Sequence, residues 1–187
     1  IQELRKQLSI RKKALPILQN KETALRKEVK ERQEALDRLK VERDKIKDKV
    51  VDHKGLWTEL PQMVFLKERK ILWEQIIGVK IPNLEKVEFD LVDISWWNYP
   101  AWMPSGINIL MNALKLEIKI EVLKEQIYLL DRARKKSTQK VNLYEKVQIP
   151  EMDAAIMKIK RFLEDKENIA KAGQKIMKKR NERREVV

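Results

Sequence analysis

The sequence predicts an all-α fold: a long antiparallel two-helix coiled coil formed by the N- and C-terminal arms, with a short mixed segment of helix and β-hairpin at the far end. Three observations lead to this prediction. Charged residues make up 38% of the 187 residues, and 4 Gly and 6 Pro leave few sites for turns. Two long apolar seams with alternating three- and four-residue spacing lie toward the two ends of the chain. All 5 tryptophans lie in the middle segment, residues 57–106.

These observations divide the chain into three segments. Residues 1–56 form the N-terminal arm and residues 107–187 form the C-terminal arm. Residues 57–106 form what we call the foot, which we expect to contain a short helix, a possible β-hairpin and a Trp-rich loop. With so few turns, the chain is expected to contain few but long elements.

The N-terminal arm carries one seam without a break. Its apolar members are Leu4, Leu8, Leu15, Leu18, Leu25, Val29, Leu36, Leu39, Ile46, Val50 and Trp57, and its polar members are Arg11, Glu22, Arg32, Arg43 and His53. This spacing is the a and d pattern of a coiled coil. The polar members either mark the register, contact a third partner, lie where the pairing of the helices is loose, or extend past a two-helix seam as long side chains. Pro16 removes one helical hydrogen bond, so we expect a bend or break near the start.

The C-terminal arm repeats the pattern. Its members are Ile109, Ala113, Leu116, Ile120, Leu123, Ile127, Leu130, Arg134, Ser137, Val141 and Tyr144. At Pro150 the pattern stops, and it resumes one residue out of phase at Met152, Ile156, Ile159 and Leu163, which predicts a kink or local rewinding.

An antiparallel hairpin of the two arms would bury both seams within one chain. In that arrangement we expect Leu25, Val29, Leu36 and Leu39 to pack against the second half of the C-terminal arm. A parallel dimer of two chains would bury the seams equally well. The hairpin is favoured because it gathers both basic termini at one end and leaves the foot at the other.

The foot mixes several patterns. Leu60 to Gln75 has helical spacing after Pro61, a residue that suits the first turn of a helix. Alternation at 79–81 and at 87–91 predicts two short strands of a hairpin. The stretch 95–106 contains Trp96, Trp97 and Trp102 with too much Pro for a regular element. Its aromatic residues form either a small local core or a docking surface.

Charge and motif content limit the function. The net charge of +13 suggests nucleic acid as a partner. The positive charge is nevertheless concentrated at the ends, with nine basic against three acidic residues in 1–30 and seven against two in 168–187, while acidic residues prevail in 56–105. With no Cys, a single His and no phosphate-binding or zinc-protease motif, we expect no catalytic, cofactor-binding or metal-ligating residue. No apolar run approaches the roughly 20 residues of a membrane span, which favours a soluble protein of the cytoplasm.

Several stretches together carry a resemblance to a known family. They are LRKQLSIRKKALPILQNKETALRKEV near the start, GVKIP and VEFDL in the middle, and the run ARKKSTQKVNLYEKVQIPEMDAAIMKIKRFLEDKEN. With these stretches the chain resembles the D subunit of the rotary V/A-type ATPases, and WWNYPAWMPSG at 96–106 is similar to the form of bacterial members. The most specific part is KVNLYEKVQIP at 140–150, followed by IKRFLED. The resemblance covers nearly the whole chain.

The resemblance implies a non-catalytic central shaft that transmits torque between an ATP-hydrolysing or ATP-synthesising ring and an ion-translocating membrane rotor. The implied partners are the A and B subunits of the ring, the small F subunit of the stalk and the cap of the membrane rotor, without a cofactor, nucleic acid or insertion into the membrane. The residues expected to face the ring are Lys178, Lys179, Arg180, Arg183 and Arg184, and those expected to face the cap are Trp96, Trp97 and Trp102. The alternative function is a basic coiled-coil protein that binds nucleic acid or acts as a scaffold.

Overall fold

A computed structural model describes residues 1–51, 55, 62–92 and 99–185. The elements are helix α1 (Gln2–Val51), strands β1 (Val64–Ile76) and β2 (Val79–Leu91), helix α2 (Met103–Leu143), a π-helical turn (Tyr144–Gln148) and helix α3 (Ile149–Glu185). The two helical arms are therefore confirmed. The chain divides into two compact units: a terminal unit, Ile1–Asn20 with Ser137–Val187, and a central unit, Lys21–Lys136.

Helix α1 runs through Pro16 without interruption, so the expected break is wrong. The side of the helix that carries Pro16 is exposed, and a missing hydrogen bond there is open to water. The seam residues of α1 behave as predicted, since every seam position from Leu4 to Ile46 is buried or half-buried. Val50, His53 and Trp57 lie outside the residues whose side chains the structure describes.

The core of the central unit joins α1 to α2 in antiparallel order. Leu36 packs in one cluster with Leu116 and Ile120, supported by Leu39, Ile46, Leu123 and Ile127. Leu25 packs in a second cluster with Leu130 and Ile81. These partners lie in the first half of the C-terminal arm, so our assignment to its second half is wrong. Coiled-coil packing of the seams stays a prediction.

The predicted helix at Leu60 to Gln75 is wrong, because Val64–Ile76 is a strand. It pairs antiparallel with β2, from Val64 opposite Leu91 to Ile76 opposite Val79. One continuous β2 replaces the two short strands that we expected. The apolar groups 64–66 and 71–73 fit either period, and the burial of Ile81 and Pro82 against the helices selects the hairpin.

The two-residue turn of this hairpin is formed by Ile77 and Gly78. Both have positive φ, 51° for Ile77 and 77° for Gly78. This is the conformation that the tight turn of a twisted hairpin requires. A β-branched residue rarely adopts it, and here the Ile77 side chain packs against the cluster of Leu25, Ile81 and Leu130. Burial of that side chain offsets the backbone strain.

Helix α2 begins at Met103, so the predicted loop through residue 106 ends earlier than expected. Pro104 occupies the first turn, where its missing N–H removes no helical hydrogen bond. Met103 and Ile107 form a small core with Met63, and Tyr99 and Met111 pack beside it. The start of α2 is thereby fixed to the base of the hairpin.

In the terminal unit, α2 and α3 are joined by the π-helical turn. Ser137 is buried, and Val141, Tyr144, Met152 and Ile156 are half-buried along one face. The predicted rewinding near Pro150 therefore takes the form of one wide turn two residues before that proline.

Candidate protein-interaction surfaces

A long exposed surface lies on α3. Every residue from Lys160 to Lys179 is exposed, although the stretch includes large apolar side chains. Phe162 is 65% exposed and Ile169 is 73% exposed. The exposed large apolar side chains of this stretch are Phe162, Leu163, Ile169, Ile176 and Met177. Phe162, Ile169 and Ile176 are seven residues apart, and Leu163 and Met177 each directly follow one of them, so the five side chains lie along one side of the helix. We call this set the α3 stripe.

Basic residues accompany the stripe to the end of the helix. Lys178 and Lys179 are exposed. Arg180, Arg183 and Arg184 belong to α3, which extends to Glu185, and their side chains lie outside the described part of the chain. The local ion pair Lys160–Glu164, with 3.7 Å between Nζ and Oε1, is solvent-exposed. This end of α3 therefore combines apolar area with diffuse positive charge.

The predicted aromatic cluster of the foot is described in part. Trp102 lies in the turn before α2 and is half-buried, and its carbonyl accepts a hydrogen bond of 3.0 Å from the Gly106 N–H. Trp96 and Trp97 lie outside the described residues. The nearby core of Met63, Met103 and Ile107 buries its own side chains. A local core therefore exists at the foot, and a meeting of the three tryptophans there stays a prediction.

Gln126 fastens the hairpin to the helices of the central unit. Its Nε2 donates a hydrogen bond of 2.5 Å to the Pro82 carbonyl, and its Oε1 accepts one of 3.1 Å from Arg32 Nε. The Gln126 side chain is buried, so these bonds replace the water that it loses on folding. Arg32 also pairs with Glu28 one turn earlier. We call these two hydrogen bonds of Gln126 the Gln126 clamp. The sequence gives no sign of it beyond a Gln on an apolar helix.

The polar seam residues make specific contacts between helices. Arg43 Nε lies 3.8 Å from Glu117 Oε1 of α2, within the central unit. In the terminal unit, Arg11 Nε donates a hydrogen bond of 2.7 Å to Gln148 Oε1. Among the alternatives for these positions, the contacts of Arg11, Arg32 and Arg43 favour register-marking within the chain.

Beside Arg43, the two helices of the central unit enclose an apolar groove of about 420 Å³. Its floor is formed by Ile46, Ile109, Ala113 and Leu116. Lys47 lines one rim and Glu117 another. No sequence pattern distinguishes this groove from the seam that it continues.

The hairpin carries charge pairs across its two strands and an exposed aromatic residue. Lys67 pairs with Asp90 at 3.1 Å between Nζ and Oδ1, and the hydrogen bond from Lys67 to Asp90 raises the lysine pKa above its ordinary value of 10.5. Glu85, 2.8 Å from Lys70 Nζ, raises the Lys70 pKa in the same way. Trp73 is 62% exposed. These strands therefore present alternating charge with apolar side chains to their surroundings.

The described part of the chain offers little for chemistry. Among residues 1–51, 55, 62–92 and 99–185, no group of three or more His, Asp or Glu side chains is arranged to hold a metal ion. None of the helices in these ranges combines the length and the apolar character that crossing a membrane requires.

Comparison with known proteins identifies a family and several relatives. Residues 1–179 match the family of ATP synthase D subunits. The chain is 31% identical over 182 residues to the V-type ATP synthase D subunit of Borreliella burgdorferi, covering 94% of this chain and 90% of that relative. It is 33% identical over 107 residues to the V-type ATP synthase D subunit of Chlamydia muridarum, covering 57% of this chain and 52% of that relative. The chain belongs to the family of ATP synthase D subunits.

Proposed function

We propose that this chain is the central rotor shaft of a V-type ATPase or ATP synthase, transmitting torque between the nucleotide-binding ring and the ion-translocating membrane rotor. Membership of the family of ATP synthase D subunits is the observation that carries the proposal. The α3 stripe supports it, because a helix of this length with exposed Phe162 and Ile169 needs a protein partner to cover it. The shaft is a peripheral, non-catalytic component of a membrane-bound complex.

A shaft works through stiffness and shape rather than through a reactive group. Along α1, ion pairs one turn apart, such as Arg26–Glu22 at 2.7 Å and Lys27–Glu31 at 3.7 Å, each add about 0.2–0.5 kcal/mol to the helix. Packed clusters around Leu25 and Leu36 resist sliding of α1 against α2. We further propose that the two seams pack as an antiparallel coiled coil, whose bending would disturb two helices at once.

The α3 stripe and the basic end of α3 are proposed to face the A and B subunits of the ring. An asymmetric surface fits each member of the ring differently at each angle, which makes the nucleotide sites unequal. Lys178 and Lys179 are exposed, so single charges there contribute about 0–1 kcal/mol each. Arg180, Arg183 and Arg184 are proposed to face the ring as well. Contact with the ring is therefore distributed over the apolar stripe and several charges.

The foot, with Trp96, Trp97 and Trp102, is proposed to dock on the cap of the membrane rotor, and the small F subunit of the stalk is a further proposed partner. Truncation of a buried interface Trp commonly costs about 2 kcal/mol or more of binding. Replacing all three by Ala should leave ATP hydrolysis by the soluble ring intact and reduce ATP-driven ion pumping in vesicles. A lowered melting temperature of the isolated chain with unchanged pumping would assign them to a local core instead.

The deciding experiment removes residues 171–187 and asks whether ring subunits still co-purify with the chain. We expect loss of assembly, or hydrolysis that no longer drives pumping. The matched control replaces Arg183 alone by Ala, which should leave ATP turnover almost unchanged because the contact is distributed. Full assembly and coupling after the truncation would refute the ring contact.

A further inference from the structure

The π-helical turn is the one irregularity within the C-terminal arm as described from residue 103 to residue 185. The Ile149 N–H bonds to the carbonyl of Tyr144, five residues earlier instead of four. Pro150 follows directly. In a regular α-helix its ring would press on the carbonyl of Lys146, and it has no N–H to donate. A wider turn before Pro150 relieves that conflict.

The seam around the turn contains one residue more than a regular alternation of three and four residues. From Tyr144, half-buried positions recur every four residues at Gln148, Met152 and Ile156, and Ile149, Asp153 and Ala155 beside them are half-buried as well. A seam that alternates three and four would place the position of Met152 at residue 151. The difference of one residue equals about 100° of rotation around an α-helix. One residue absorbed in the wide turn therefore returns the seam to the face that α1 covers.

Contacts from α1 hold this register directly after the turn. Arg11 Nε reaches Gln148 at 2.7 Å, and Arg11 Nη1 reaches the Met152 sulfur at 3.5 Å. Lys12 Nζ lies 3.0 Å from Asp153 Oδ2. All these residues belong to the terminal unit. If α3 began one residue out of register, the side chains that make these contacts would point away from α1.

We propose that Tyr144–Gln148 and Pro150 form a register-correcting joint. One residue of this joint can be deleted without changing the register of α3 against α1, and the joint is softer, in that it bends and twists more easily, than the helix on either side. Softness follows from the backbone, because Pro150 donates no hydrogen bond and the wide turn closes less well than an α-helical one. Bending and twisting of the arm are therefore concentrated at this joint. The inference concerns the chain alone and does not depend on the proposed partners.

The test uses the full chain and three variants that share Pro150→Ala. One carries Pro150→Ala alone, one also lacks Lys146, and one also lacks both Glu145 and Lys146. Both deleted residues are exposed, so their loss removes no core side chain. Register is read as a zero-length carbodiimide cross-link between Lys12 and Asp153, identified by mass spectrometry. Softness is read as hydrogen exchange of the amides from residue 145 to residue 152.

We expect the parent chain to form the cross-link and to exchange faster in the joint than in the flanking helices. The single deletion should keep the cross-link and slow exchange in the joint to the flanking level. The double deletion should lose the cross-link, because one further residue turns α3 by about 100°. If the single deletion loses the cross-link or its helical circular dichroism while Pro150→Ala alone stays folded, the claim that one residue of the joint is removable would be overturned. Slow exchange in the parent joint would overturn its softness.

Discussion

Two helical stretches with similar apolar spacing differ in what covers them. In α2, Leu116, Ile120 and Leu130 are buried against α1 and the hairpin. In α3, Phe162 and Ile169 occupy comparable positions on a stripe and are exposed. Apolar periodicity therefore specifies that a helix face must be covered, and other parts of the chain decide whether the cover is internal. In α3 the cover is proposed to be the ring.

The comparison separates stability from assembly. A buried side chain contributes to the free energy of unfolding of the isolated chain, whereas an exposed one contributes only when a partner binds it. Substitutions in α2 and its partners should therefore change unfolding first. Substitutions in the α3 stripe should change binding first.

The largest effect is expected from Leu25→Ala in the central unit. Leu25 is fully buried with Leu130 and Ile81, and a truncation that leaves a cavity there should lower the free energy of unfolding by about 2–5 kcal/mol. Urea unfolding followed by circular dichroism measures the change. Ile169→Ala is the matched control, expected to stay within about 0.5 kcal/mol of the parent because its side chain is exposed. Equal destabilisation by the two substitutions would erase the distinction between the stretches.

A smaller effect is expected when the hairpin loses its clamp. Gln126→Ala leaves the Pro82 carbonyl and Arg32 without this partner, which should lower the free energy of unfolding by about 1–3 kcal/mol. Exposed Gln139→Ala in the same helix is the control and should be neutral. Hydrogen exchange of the β2 amides should accelerate in Gln126→Ala alone. If β2 protection is unchanged, the hairpin is held by its apolar contacts only.

Gly78 and Gly173 extend the comparison to the backbone. Gly78 has φ of 77°, so Gly78→Ala should cost about 1–2 kcal/mol of stability through strain in the turn. Its nearest neighbour, Lys21 Nζ, is 3.5 Å from the added carbon and leaves room. Gly173 lies within α3 with open space around it, so Gly173→Ala should stabilise the helix by about 0.5–1 kcal/mol. Thermal melts of both variants should therefore shift in opposite directions.

The smallest effect concerns the charge pairs of the hairpin. The pKa values of Lys67 and Lys70 are raised by Asp90 and Glu85, so their contribution to stability is complete below the ordinary lysine value of 10.5. It is lost as pH rises through the raised values. Both lysines are exposed, and the loss should be slight. We expect the urea midpoint to fall between a pH below 10.5 and a pH above the raised pKa values. The fall should be smaller in the double variant Lys67→Gln/Lys70→Gln than in the parent. Identical falls would show that the pairs contribute nothing.

The sequence predicted the helical arms well because apolar residues that repeat at three- and four-residue spacing fit few structures other than a helix. The same logic located the irregularity at Pro150, since a one-residue phase change has to be absorbed somewhere. It failed at Val64–Ile76, where apolar groups seven residues apart suit helix and strand alike and only packing against Leu25 and Leu130 decides. The Gln126 clamp was beyond reach because a lone Gln reveals no partner. The ring and cap residues stay predictions, as no bound partner tests them.

Thiol labelling of Ile169→Cys in the free chain and in the complex with the ring subunits tests the central claim most directly. Val92→Cys is the control, since Val92 is also exposed and belongs to the foot rather than to the α3 stripe. The account predicts rapid labelling of both sites in the free chain and protection of residue 169 alone in the complex. Equal labelling of residue 169 in the two states would contradict it, because the α3 stripe would then be uncovered in the assembled enzyme.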